Sequence, residues 1–126
     1  IVGALQNLES LESLDLRGNR IAHVDPSISV LSSLRVLRLG GCGDKIDLRG
    51  PLNMVHLTQL SLENFSISAI PENLNDMTNL SMLSLAENKL TVVSISLPNL
   101  KTLNLAFNQL TSKAVDISCR KLRYLD

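Results

Sequence analysis

The chain has 126 residues, enough for one domain with a sizeable core; 44% of them are hydrophobic but only 2% aromatic, so aliphatic side chains must fill that core. Twelve basic residues balance twelve acidic ones, which excludes a net electrostatic attraction to nucleic acid or acidic lipid. No apolar run approaches the roughly eighteen residues that span a bilayer, and Ile1 opens no charged-then-apolar leader pattern.

In chain order, residues 1–10 (IVGALQNLES) read as the return half of a repeated unit. Copies of that unit follow: LESLDLRGNRI (11–21), LRVLRLGGCGD (34–44), LTQLSLENFSI (57–67), LSMLSLAENKL (80–90), LKTLNLAFNQL (100–110), and LRYLD from Leu122. The successive spacings are 23, 23, 23, 20 and 22 residues. In each copy period-two alternation predicts a short strand with Leu14 and Leu16 inward and Asp15 outward, so that stacked copies form a parallel sheet. Asn19, Asn88 and Asn108 stand at the ninth position, where the chain leaves the sheet and its polar backbone groups need an amide to bridge them. After the turn, apolar residues recur about every three positions: Ile21, Val24, Ile28, Leu31, Leu34 in copy one and Ile67, Ile70, Leu74, Met77, Leu80 in copy three. That spacing predicts short 3₁₀-like or irregular helical turns, started by Pro26 and Pro71.

Copies two and three depart from the pattern. In copy two Cys42 takes the turn position and Asp44 falls where an inward leucine belongs. Burying an unpaired carboxylate costs several kcal/mol, so residues 41–50 are expected to bulge, with Ile46 and Leu48 filling the gap after a slip of about two residues. Gly41, Gly43 and Lys45 lack the spacing of a phosphate loop, and no amphipathic helix follows them. In copy three Phe65 replaces the turn asparagine, which predicts a local repacking that loses one amide bridge.

No catalytic, metal or cofactor constellation is found. Cys42 and Cys119 lie at least three copies apart, ~14 Å by strand spacing, beyond the ~7 Å that a disulfide bridges; both are expected to be small buried hydrophobes. His23 and His56 stand at ligand spacing from no Cys or other His, and no serine sits in a G-x-S-x-G elbow. The sequons at Asn64 and Asn79 occur at chance frequency and say nothing about secretion.

The pattern L-x-x-L-x-L-x-x-N/C-x-L, repeated from Leu11 to the end, resembles the leucine-rich repeat family. The form of Leu57 to Leu80, Phe65 apart, is similar to the 23-residue class common in cytoplasmic scaffold and Ras-associated proteins. The resemblance implies an α/β solenoid, a right-handed curved stack of short parallel strands whose concave face binds another protein, without cofactor and in the cytoplasm. Residues 1–126 then form one domain, expected to be a fragment cut within a repeat at both ends. Two alternatives stay open: a ligand-recognition segment of a cell-surface or immune receptor, and a regulatory arm of a kinase, phosphatase or GTPase.

Read as outward strand positions, the candidate partner-binding residues divide by charge. Asp15, Arg17, Arg35 and Arg38 gather at the N-terminal end, and Asp15 and Arg38, at one position in neighbouring copies, are expected to pair across the sheet. Met82, Phe107 and Tyr124 supply apolar contact at the other end, flanked by Lys101 and Arg123. Singly each is an ordinary solvated side chain; as a set they form the candidate surface.

Overall fold

The alternating leucines build strands where they recur. The computed structural model describes residues 8–111, 113 and 115–126. Its main sheet has six parallel strands in the order β1 (Ser13–Ile21), β2 (Val36–Gly41), β3 (Gln59–Glu63), β4 (Met82–Ser84), β6 (Thr102–Asn104) and β8 (Tyr124–Leu125). The register sets equivalent leucines side by side: Leu14, Leu37, Leu60, Leu83, Leu103 and Leu125. The four central ones are fully buried, while Leu14 is half-buried and Leu125 exposed. Burial of one such side chain contributes about 1.5–3 kcal/mol, and none of the copies could achieve it without its neighbours.

The returns are of two kinds. Copies one and three return through 3₁₀ turns at Pro26–Val30 and Glu72–Asp76, which bury Ile28 and Leu74, as the period of three predicts. The Asp25 carboxylate caps the first by accepting from the Ser27 N–H at 2.8 Å. Copy two adds a single α-turn, α1 (Arg49–Leu52). Copies four and five return instead through strands β5 (Val93–Ile95) and β7 (Val115–Ile117), paired in parallel as a second sheet. The helical-turn pattern therefore does not extend to copy four, and the reason is local. Val93, Ile95 and Leu97 are buried and alternate with exposed Ser94 and Ser96, and that period of two belongs to a strand.

Copy two bulges as expected, and the backbone dates the slip. The residue just before the turn position has a left-handed backbone in four copies: Gly18 (φ +80°), Asn64 (+61°), Glu87 (+57°) and Phe107 (+58°). In copy two the left-handed residue is Gly43 (φ +93°), two residues beyond the equivalent Gly41. Ile46 and Leu48 pack half-buried against the core, and Asp44 is exposed. Cys42 is a correction: it is an exposed free thiol that donates to the Asp44 carboxylate at 3.3 Å, whereas Cys119 is half-buried. The outward swing of the bulge takes Cys42 with it.

Phe65 is fully buried, and the space it fills lies beside a glycine. A Cβ on Gly41 would stand 2.5 Å from the Phe65 ring and 2.4 Å from the Asn64 carbonyl oxygen, so copy two must be small where copy three is large. Polar groups around the ring are still served. Asn88 Oδ1 accepts from the Phe65 and Ile67 N–H groups, each at 3.0 Å, and its Nδ2 donates to the Leu62, Leu85 and Ala86 carbonyls. On the other side Asn64 Nδ2 donates to the Gly41 carbonyl at 3.3 Å, the Gly43 N–H donates to the Asn64 carbonyl at 2.9 Å, and Ser66 Oγ donates to the Gly43 carbonyl. The residues flanking Phe65 thus replace the missing amide.

Candidate interaction face

The outward side chains of the main sheet fall into columns. One column runs Ser13, Val36, Gln59, Met82, Thr102, Tyr124, and a second runs Asp15, Arg38, Ser61, Ser84, Asn104. A third follows the backbone bonds from Thr58, Ser81, Lys101 and Arg123 N–H groups to the preceding Arg35, Thr58, Ser81 and Lys101 carbonyls, at 2.7–2.8 Å.

At the N-terminal end the charges satisfy one another. Arg17 donates to the Asp15 carboxylate from Nε at 3.0 Å, from Nη2 at 2.7 Å and from its backbone N–H at 3.1 Å. Arg38 Nη1 lies 3.8 Å from the same carboxylate. The expected cross-sheet pair is present, but the tighter partner is in the same strand. The Arg17 side-chain hydrogen bonds, then its N–H, pull the Asp15 carboxyl down to about 2. Arg38 Nη2 also donates to Gln59 Oε1 at 2.6 Å. Arg35 stands apart: its Nη1 donates to the Ser32 and Leu34 carbonyls at 3.0 and 3.1 Å.

A signal for this arrangement lies in a tetrapeptide that occurs twice, Asp-Leu-Arg-Gly at 15–18 and at 47–50. At the second site Asp47 receives the same set from Arg49, with N–H and Nε at 3.0 Å and Nη2 at 2.5 Å, and its carboxyl is likewise pulled to about 2, chiefly by the Arg49 side chain. An aspartate two residues before an arginine can accept from both its N–H and its guanidinium in either setting, strand or turn. Gln59, Ser61 and Glu63 are the outward positions that copy three's alternation predicts; Glu63 accepts from Ser84 Oγ at 2.7 Å, and the buried Ser61 hydroxyl has no partner among the described residues.

The C-terminal end is different. Lys101 and Arg123 are exposed neighbours, and neither joins an ion pair among the described residues. Met82 is half-buried, and Tyr124, 69% exposed, follows it in the same column beyond Thr102. Two strand steps separate them by about 10 Å. Phe107 needs correction. Strand β6 ends at Asn104, whose Oδ1 accepts from the Ala106 N–H at 2.9 Å, and Phe107 lies in the following turn, 82% exposed. With Glu87 and Asn88 it lines an open hollow of about 450 Å³ at the rim of the face. Among the described residues no group of His, Cys, Asp and Glu gathers to hold a metal ion, and no helix is long and apolar enough to cross a membrane.

A stack of parallel strand-and-return units tied by turn asparagines is a repeat solenoid. Leucine Rich Repeat family models match residues 10–31 and 96–116. Osteomodulin of Bos taurus is 36% identical over 89 residues and osteomodulin of Rattus norvegicus 33% over 89 residues. Each alignment covers 69% of this chain and 21% of the relative, so the chain spans about a fifth of the length of the curated relatives it matches. A leucine-rich repeat protein of Leptospira interrogans superposes with a TM-score of 0.75 at 22% identity, over 97% of this chain and 38% of that one. An internalin of Listeria monocytogenes gives 0.66 at 20% identity, over 100% and 50%. The chain belongs to the leucine-rich repeat family.

Proposed function

We propose that this chain is a non-catalytic module that binds a protein partner on its concave face, at the end formed by β4, β6 and β8. Leucine-rich repeat domains generally mediate protein–protein interaction, and their extended concave surfaces suit it. The observation that carries the choice of end is the contrast in charge: Asp15, Arg17 and Arg38 already serve one another, while Lys101 and Arg123 do not. Beside those cations Tyr124 offers an exposed ring and Met82 a partly open thioether, the kind of side chains that anchor interfaces. Phe107 would touch the partner from the rim. The same proposal places the protein in the cytoplasm, supported by the exposed free thiol of Cys42. A glycan on Asn79 in the native protein would overturn that compartment.

Capture of partners by the wild-type chain, followed by titration of the purified partner, tests the reading. The Phe107→Ala, Tyr124→Ala double variant is expected to weaken binding by more than about 1 kcal/mol per anchor with an unchanged unfolding midpoint. Unchanged affinity there, with binding lost on Asn73→Lys, Asp76→Lys in the second 3₁₀ turn, would move the site to the convex side.

A further inference from the structure

Copies three and four meet at a step on the side of the return segments. Copy three returns through the broad 3₁₀ turn at Glu72–Asp76 and copy four through the narrow strand β5. The step leaves a cavity of about 610 Å³, with Ile70, Glu72 and Asn75 on one wall and Val92 and Ser94 on the other.

The β5 wall is an open strand edge. β5 pairs with β7, and the Ile95 carbonyl accepts from the Ser118 N–H at 2.8 Å on that side. In a parallel ladder a residue's N–H and C=O share one side and successive residues alternate. The N–H and C=O of Ser94 therefore face copy three, as does the Ser96 N–H. That last donor is taken by Asn75 Oδ1 at 2.9 Å; the Ser94 groups have no partner among the described residues. Val92, two residues earlier, presents an apolar side chain that is 61% exposed, and Ile70 faces it half-buried. Glu72 is the one charged side chain among the described residues lining the cavity.

We propose that this groove takes an extended peptide segment of a second protein, which adds as a strand to β5 and sets a basic side chain against Glu72. An unpaired edge supplies main-chain hydrogen bonds to such a segment, alternate side chains supply specificity, and the acidic wall selects the charge. The site is separate from the concave face, so either stands if the other fails.

The probe is a blocked hexapeptide alternating valine with threonine and carrying one arginine, titrated into the ¹⁵N-labelled chain. Its binding shifts the amides of Ile70, Val92 and Ser94, and slows exchange of the Ser94 amide at least about tenfold. N-methylation of alternate peptide nitrogens costs about tenfold in affinity. Glu72→Lys weakens the arginine peptide about threefold and strengthens a glutamate peptide by a similar factor. Shifts confined to Lys101 and Tyr124, indifference to N-methylation, or equal affinity of both peptides for both chains would overturn the proposal. So would a dimer paired through β5 that excludes the peptide, since the occupant would then be a second copy.

Discussion

In copies one to three each departure from the repeat is answered within the chain: Phe65 fills the space left by Gly41, Asn64 and Ser66 stand in for a turn amide, and Asp15 is held by Arg17 and Arg38. From copy four onward the turns are closed by Asn88 and Asn108, as the repeat dictates, and the atypical side chains Lys101, Phe107, Arg123 and Tyr124 point to solvent. A charged residue on a repeat face becomes a candidate for binding only after the partners inside the chain have been subtracted. By that test the proposed site lies at the charge-poor end, because the charges of the other end are already engaged within the chain.

The largest expected effect lies at Phe65. Phe65→Ala should cost about 3–5 kcal/mol, read as a lowered urea midpoint. Phe65→Asn, which restores the repeat's own residue, should cost nearly as much, because Gly41 leaves the hollow unfilled. A neutral or stabilising Phe65→Asn would break the comparison. Asn88→Ala comes next: two buried N–H groups, of Phe65 and Ile67, lose their acceptor at about 1–3 kcal/mol each. Asn108 is half-buried and, among the described residues, its Oδ1 accepts from the Leu90 N–H alone, so Asn108→Ala should cost about half as much in the same unfolding measurement.

Smaller still are the surface effects. Tyr124→Ala should leave stability within about 0.5 kcal/mol while weakening partner binding by about 1–2 kcal/mol, a split that calorimetry and urea unfolding together would read. The acid response sharpens the N-terminal side of the comparison. Asp15 and Asp47 are held at about 2 against an ordinary 3.8. A depressed folded-state pKa means stabilisation that is full above the ordinary value and lost as pH falls from near 4 toward 2. Asp15 is exposed and Asp47 half-buried, both in contact with solvent, so the slope should be shallow and flatten in high salt. The Asp15→Asn, Asp47→Asn variant should lose that part of the slope in urea midpoints taken from pH 5 to 2.

The strands, their register and their buried leucines were legible because one spacing, L-x-x-L-x-L, recurs in the first five copies. The bulge of copy two was legible too, down to the slip of two residues, since a carboxylate cannot occupy a leucine's place cheaply. The β5 return was missed although Val93-Ser94-Ile95-Ser96-Leu97 alternates plainly; the period of three in copies one and three was carried over to a copy only 20 residues long. Phe107 falls one position beyond the outward Arg17 column, at the left-handed turn residue occupied by Gly18 and Asn64 elsewhere, so strand alternation does not reach it. Burial of Phe65 depends on an absent side chain in the copy before it, and the inward curl of Arg35 on a rotamer; neither leaves a mark in residue order.

The most direct measurement compares two charge reversals against the partner captured by the wild-type chain. Titration calorimetry of Lys101→Glu, Arg123→Glu and of Arg17→Glu, Arg38→Glu at one ionic strength places the site at one end of the face or the other. A loss of more than about tenfold is expected for the first pair and of less than about threefold for the second. The opposite order would contradict that expectation and return the partner to the charge-rich end.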